Sequence, residues 1–474
     1  MNKTLFYFNE ITQIPRPSGF EKNICAYLQN FAKQRDLECY TDSTFNVVIK
    51  KKSNCNKNKT LILQAHTDMV CEKEPDANID FLKDGITTIT DGDYLKANKT
   101  TLGADNGIGL SMILSVLDNP SLQIPNLECV FTTQEETTML GAINLDTSLL
   151  SGKHLISIDG TDEGKIDVSS AGMTVFEAEQ NFVDNKETCN IDNNQKFFEI
   201  SLTGFRGGHS GSEIDSGKLN AIKVAFEFLS LFKNKIILVN IDAGNKSNAI
   251  PRDFNCIVLA QNLSKEDLEH ASNNFLKNYL KTEPNAKFLI KSLLNKTNCD
   301  NTNCVLNYAQ TNSLIDFVIN YKNGVLTKNS DNFVVTSNNL ASIKLNNNYA
   351  KVVVSLRSSN KEEDKLYEHK ILNYFNQFNF NANVTSRAPF FERNKNSYLQ
   401  PLCKNTYKNL FNKEAFCEDI HAGLEGGVFS QKIPNIDICV IAPNIYDAHS
   451  PSERVSLSSV ERVYKWLESI IENF

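Results

Sequence analysis

The chain has 474 residues, of which 41% are hydrophobic and 22% charged; that length points to more than one structural unit, and the composition excludes collagen-like, coiled-coil and largely disordered proteins. Its 49 Lys and Arg stand against 56 Asp and Glu, a formal charge of −7, which offers no basic field for nucleic acid. Apolar runs such as Leu61 to Leu63 and Ile436 to Ala442 fall far short of the roughly 20 residues that span a bilayer, and the opening MNKTLFYFNE reaches Asn9 and Glu10 before a signal-peptide core forms, so a cytoplasmic protein is expected.

The first predicted helix opens at Ser18, where Ser18-x-x-Glu21 reads as a capping box after the Pro-rich turn Ile14-Pro15-Arg16-Pro17; its apolar positions are Phe20, Ile24, Tyr27, Leu28 and Phe31. Phe45 to Ile49 and Leu61 to Leu63 read as strands. A helix follows from Asp105 to Val116, then strands at Leu127 to Thr133 and His154 to Asp159. This alternation predicts an α/β domain with a mostly parallel sheet.

Beyond about residue 173 the texture changes to longer strands, such as Phe197 to Leu202 and Ile236 to Ile241, with a helix from Leu219 to Phe232. The segment from Asn248 to Tyr279 resembles that from Asn339 to Phe375, each with strands followed by an acidic helix start. The reading is an inserted α+β lid domain with two repeated halves. The α/β texture returns near residue 387, with a strand at Ile436 to Ala442 and a last amphipathic helix through Val460, Val463, Trp466, Leu467, Ile470 and Ile471. The expected layout is therefore a first catalytic part at 1–173, a lid at 174–387 and a second catalytic part at 388–474. Asn-rich stretches such as Asn295 to Asn303 read as surface loops. The twelve cysteines are scattered, several within apolar runs (Cys129, Cys256, Cys439), as expected of buried thiols. The close pair Cys299 and Cys304 lacks the second pair a zinc knuckle needs.

Chemistry gathers where apolar runs end. Leu61-Ile62-Leu63 leads into His66 and Asp68, Cys129-Val130-Phe131 into Glu135 and Glu136, Leu155 to Ile158 into Asp159, and Ile438 to Ile441 into the loop of His449. Carboxyl ends of strands in open α/β sheets are where ligands bind. The glycines of Gly103-Ala104-Asp105-Asn106-Gly107 permit a turn that aims Asp105 inward. Two imidazoles and three carboxylates from five segments suit a pair of zinc-like ions about 3.5–4 Å apart, with one carboxylate shared. Asp68 is placed to take the other N–H of the His66 ring. Of Glu135 and Glu136, one can bind metal while the other faces the attacking water.

The segments LQAHTDMVCEK (63–73), TTLGADNGIGL (100–110), FTTQEET (131–137), GFRGGHSGSEI (204–214), SNAIPR (247–252), HAGLEGG (421–427) and DAHSPSER (447–454) resemble the aminoacyl-histidine dipeptidases, carnosinase-like members of the di-zinc aminoacylase and carboxypeptidase superfamily. The resemblance implies a di-zinc peptidase domain interrupted by the lid, and a dipeptidase for substrates including Xaa-His. One metal would be held by His66 and Asp159, the other by Glu136 and His449, with Asp105 shared. Asp68 matches the family's orienting acid, Glu135 its general base and His209 its oxyanion-stabilising histidine. Asn248 and Arg357 match substrate-holding positions, Arg357 for the free carboxylate. Glu425 is a partner for the substrate's amino terminus, while His421 is left without a role. Gln134, Gly426 and Met173 depart from the family pattern at positions that are neither ligand nor base.

Two rival readings remain. A related amide hydrolase, either an N-acyl-amino-acid deacylase or a carboxypeptidase, would share the metal centre. A silent binding protein on this fold predicts loss of at least one of His66, Asp105, Glu135, Glu136, Asp159 and His449, and all are present. Zinc is the expected metal, with manganese or cobalt as substitutes. The oligomeric state stays open between a monomer whose doubled lid supplies His209 and a homodimer.

Overall fold

The computed structural model describes residues 3–55, 57–182, 195–293 and 306–474. Cys299, Cys304 and the Asn295 to Asn303 stretch lie outside the described residues. The chain forms two compact units, one of residues up to Ser170 with Phe390–Ile420 and Leu424–Phe474, the other of Ala171–Pro389 with His421–Gly423.

The first unit is built on an eight-stranded sheet in the order Glu38–Thr41, Val47–Lys51, Asn126–Thr132, Thr60–His66, His154–Ser157, Asp437–Val440, Lys165–Ser170 and Phe416–Ile420. Four of its pairings are parallel and three antiparallel, so the sheet is mixed, with three contiguous parallel pairings at its centre and the fourth at one edge. Successive side chains of a strand face opposite ways. Leu61, Leu63 and Ala65 accordingly enter one core with Cys129, Phe131 and Ile156, while Ile62 joins Val48, Val130, Leu155 and Ile438 in another. Burial on both faces explains why these strands read as unbroken apolar runs.

Helix Ala104–Leu117 is buried at every position except Asp105, as expected of a helix enclosed on all sides. Lys3–Thr12 and Leu457–Asn473 pack on it. The Lys3–Thr12 helix, with Tyr7, Phe8 and Ile11 buried at helical spacing, is an element absent from the expected layout. The expected helix start at Ser18 is corrected: the helix runs from Lys22 to Lys33 with no side-chain cap. Ser18 and Glu21 do not cap one another. Ser18 Oγ donates to Asp68 at 2.7 Å, and Glu21 accepts the N–H groups of Gly19 and Gln134, each at 2.9 Å. Phe20, assigned to the apolar face, is exposed.

The second unit is built on a nine-stranded antiparallel sheet. Its order is Lys287–Ser292, Gln195–Thr203, Phe254–Gln261, Ile236–Ala243, Val334–Asn346, Tyr349–Ser358, Gly172–Asn181 and Asn381–Ala388, with Gly324–Lys328 paired to Val334–Asn346. The order has an internal symmetry. Within the first half the sequence β-α-β-β-α-β gives the strand order fourth, first, third, second; within the second half the same pattern appears reversed. Gly172–Asn181 serves as the first strand of the second half, so the whole first half is inserted after it. Ile241 to Ala243, opposite Ile343 to Leu345, joins the halves into one sheet. The repeated segment is thus a strand followed by a helix. The short strand Ala249–Ile250 before it pairs with Gly208–His209 and not with its own neighbour. Ser264 provides the acidic helix start with a true capping box to Asp267, and Asn360 caps the equivalent helix.

Candidate active site

In the first unit the parallel register places Thr132 beside His66 and Ser157 beside Gln64, so three neighbouring strands release their chains at one edge. The turns after them carry Glu135, Glu136 and Asp159. Asp105 lies in the first turn of its helix with non-helical φ and ψ of −77° and 112°. His66 Nε2 is 3.0 Å from Asp105 Oδ1 and 3.4 Å from Asp159 Oδ1. His449 Nε2 is 3.3 Å from Asp105 Oδ2 and 3.1 Å from Glu136 Oε2. The two oxygens of Asp105 therefore face different imidazoles, each with its own second carboxylate.

Asp68 works behind this cluster. Its Oδ1 accepts the Glu135 N–H at 3.0 Å and its Oδ2 the Glu136 N–H at 3.2 Å, while Oδ1 is 3.4 Å from His66 Nδ1. One buried carboxylate thus orients a ring and two consecutive peptide groups. Asn106 Nδ2 donates to Asp159 at 2.9 Å. Glu425 is buried beneath the same strands, where its Oε2 accepts from Gln64 at 2.6 Å and Thr132 at 2.5 Å.

The charges respond to this crowding. Burial raises Glu136 and Asp159 from their ordinary values and Glu135 well above its own, and it pushes Glu425 up to about 8. For Asp105 burial acts in the same direction, but hydrogen bonds with His449 and His66 outweigh it and hold the group low. Hydrogen bonds to Asp105 and Glu136 push His449 up to about 11. Burial would lower His66, yet the charge of Asp159 and contact with Asp105 raise it.

This donor set fits a metal centre. One ligand atom each from His66, Asp105 and Glu136 lies within 4.8 Å of the others, and the buried Glu136 Oε1 has no hydrogen-bond partner. Carboxylates outnumber imidazoles, and bound cations would balance the buried negative charge. Nitrogen and oxygen donors of this kind suit zinc, manganese or cobalt.

The second unit carries the other predicted residues. His209 lies in the short Gly208–His209 strand. Its Nδ1 accepts the N–H groups of Gly211 at 3.3 Å and Ser212 at 3.1 Å, and its Nε2 is 3.4 Å from Arg357 Nη2. Arg357 is 4% exposed, burial lowers it to about 10, and its Nε has no partner. A buried guanidinium in that state is suited to an incoming carboxylate. His421 joins this group through Ser337 Oγ at 2.7 Å. Gly211 is where a Cβ would meet the His421 carbonyl at 2.4 Å, His209 Cε1 at 3.0 Å and Arg357 Nε at 3.1 Å. The side chain of Asn248 is exposed, and its carbonyl accepts the Ser210 N–H at 2.8 Å.

A family model described as "Peptidase family M20/M25/M40" matches residues 62–473. The cytosol non-specific dipeptidase of Escherichia coli (strain K12) is 31% identical over 98% of this chain and 96% of that protein. The solved structure of aminoacylhistidine dipeptidase from Vibrio alginolyticus is 28% identical, with a TM-score of 0.85 over 100% of this chain and 96% of that one. A tripeptidase structure from Staphylococcus aureus shares the fold, with a TM-score of 0.57 at 16% identity over 99% and 97% of the two chains.

Proposed function

The chain belongs to peptidase family M20/M25/M40, and from that membership we propose that it is a metal-dependent dipeptidase, cleaving the peptide bond of free dipeptides including Xaa-His. The observation that carries the reading is Asp105 facing both His66 and His449, flanked by Asp159 and Glu136. The E. coli dipeptidase, similar over nearly the full length of this chain, supports the substrate class. In this reading His66 and Asp159 would hold one ion and Glu136 and His449 the other, with Asp105 shared. Zinc is the proposed metal, with manganese and cobalt as substitutes. When bound, the metals supply Lewis acidity to the reaction.

The chain's own groups then do the rest. Glu135, set by the Asp68 grip on its N–H and raised by burial, takes a proton from the attacking water and returns it to the departing amine. His209 is assigned to the oxyanion of the tetrahedral intermediate. Arg357 is assigned to the free carboxylate of the substrate, Glu425 to its amino terminus and Asn248 to holding the substrate. A cytoplasmic location is supported by the cytosolic description of the E. coli protein; no described helix is long and apolar enough to cross a membrane. The charge of −7 supports a protein without a nucleic-acid partner.

The test is to strip the protein with a chelator, restore zinc, manganese or cobalt separately, and assay dipeptides, tripeptides and N-acetyl amino acids. Metal-dependent cleavage confined to dipeptides is expected. Activity only on tripeptides or acylated amino acids replaces the substrate class and keeps the metal centre.

A further inference from the structure

Helix Ala104–Leu117 starts without help from its neighbours in sequence. Gly103 precedes it at φ +68° and has no side chain to offer as a cap. The first N–H groups of a helix need acceptors when buried, and here they come from Glu453, about 350 residues away. Oε2 of Glu453 accepts from Leu102 at 2.7 Å and Gly103 at 3.0 Å, and Oε1 from Ala104 at 2.8 Å and Asp105 at 3.3 Å. Glu453 is 2% exposed.

Arg16 grips the same turn from the other side. Its Nη2 donates to the Gly103 carbonyl at 2.6 Å, and its Nη1 to the carbonyls of Thr67 at 2.9 Å and Asp68 at 2.8 Å. The motif's glycines make room for it, because a Cβ would lie 2.5 Å from Arg16 Nη2 at Gly103 and 2.7 Å from it at Gly107. The Gly103 residue is therefore held by its N–H and its carbonyl at once. A buried carboxylate and a buried guanidinium are each costly to desolvate, and both are directed at backbone. What they join is telling: Arg16 holds the residues just after His66, Glu453 holds the backbone of Asp105, and Glu453 follows His449 by four positions.

We propose that Glu453 and Arg16 are positioning residues that fix the Asp105 carboxylate between His66 and His449, the placement a shared metal ligand requires. The inference rests on the proposed metal centre. Partners behind a ligand commonly change metal affinity by about 10–100-fold when removed.

The experiment compares cobalt-loaded full-length protein with Glu453→Gln and with a control cap. Asp437 is that control: it is 4% exposed, accepts the N–H groups of Tyr398 at 2.8 Å and Leu399 at 2.9 Å, and begins its strand at the sheet's opposite end. Glu453→Gln is expected to bind cobalt about 10–100-fold more weakly, to shift the visible cobalt spectrum, and to lower kcat with little change in KM. Asp437→Asn is expected to lose stability while keeping the wild-type cobalt spectrum and affinity. If Glu453→Gln does not fold, Arg16→Lys is read by the same measurements. A folded variant with wild-type cobalt affinity and spectrum overturns the inference, as does an equal change in Asp437→Asn. A wild-type protein that takes up no cobalt is a distinct result, and overturns the metal reading together with this one.

Discussion

Asp68→Asn isolates the orienting role of one carboxylate without changing its shape. Asp68 is fully buried and its two oxygens serve the Glu135 and Glu136 N–H groups, the Ser18 hydroxyl and the His66 ring. Asparagine retains one oxygen. Whichever way its amide turns, an NH2 group faces a backbone N–H, and that buried donor loses its acceptor. The Ser18 hydroxyl can rotate to accept, so the net loss is one backbone hydrogen bond and the charge that strengthened the others. An unsatisfied buried donor costs about 1–3 kcal/mol. If that cost is met by displacing Glu135 and His66, it corresponds to roughly a 5–150-fold rate loss at 1.36 kcal/mol per decade. Urea unfolding and dipeptide hydrolysis, measured side by side, should show a lower midpoint and a kcat/KM reduced on the order of 10²-fold, mostly in kcat. An Asp68→Asn protein within twofold of wild type, with an unchanged midpoint, would refute the reasoning.

Other outcomes follow from the same geometry. Glu135→Ala should reduce turnover by about 10²–10⁴-fold while metal content, read by atomic absorption, stays at the wild-type level. Arg357→Ala should raise KM for free dipeptides far more than for dipeptides amidated at the carboxyl end; equal effects would remove Arg357 from carboxylate recognition. Gly107→Ala gains up to about 1 kcal/mol of helix propensity, but its Cβ would stand 2.7 Å from Arg16 Nη2 and 2.9 Å from Phe8. Overpacking of about 1–3 kcal/mol wins against that gain, so denaturation should show net destabilisation. Burial pushes Asp167 from 3.8 up to about 7, so the folded state binds more protons than the unfolded state between those values, and stability falls as pH rises through that window. Asp167→Asn should therefore stabilise the protein at pH 8, with the gain vanishing near pH 4.

Much of the architecture was readable locally. Strands at Thr60–His66 and Asn126–Thr132 announce themselves through the apolar runs Leu61–Leu63 and Cys129–Phe131, because both sheet faces are buried there. For the same reason His66, Glu135, Glu136 and Asp159 stand out at the ends of apolar runs, and the structure brings them to one edge with Asp105 and His449. Ser18 and Glu21 show the limit of local reading. Their spacing fits a capping box, yet distant groups are stronger competitors: Asp68 for the Ser18 hydroxyl, and the Gln134 N–H for Glu21.

Arg16 stood in the sequence only as part of a Pro-rich turn and Glu453 only as part of the segment DAHSPSER, neither with a role, and their burial follows from contacts with segments 51 to 351 positions away. The second unit's sheet order is similar: a repeat of strand and helix is visible in sequence, but the nesting of one half inside the other depends on which edges pair. What the sequence by itself determined is where each element runs and which polar groups end it, since periodicity and burial act over a few residues. Only the tertiary structure decided which of those groups meet, because hydrogen bonds and charge compensation in a buried site act through space, between atoms whose separation along the chain sets no limit.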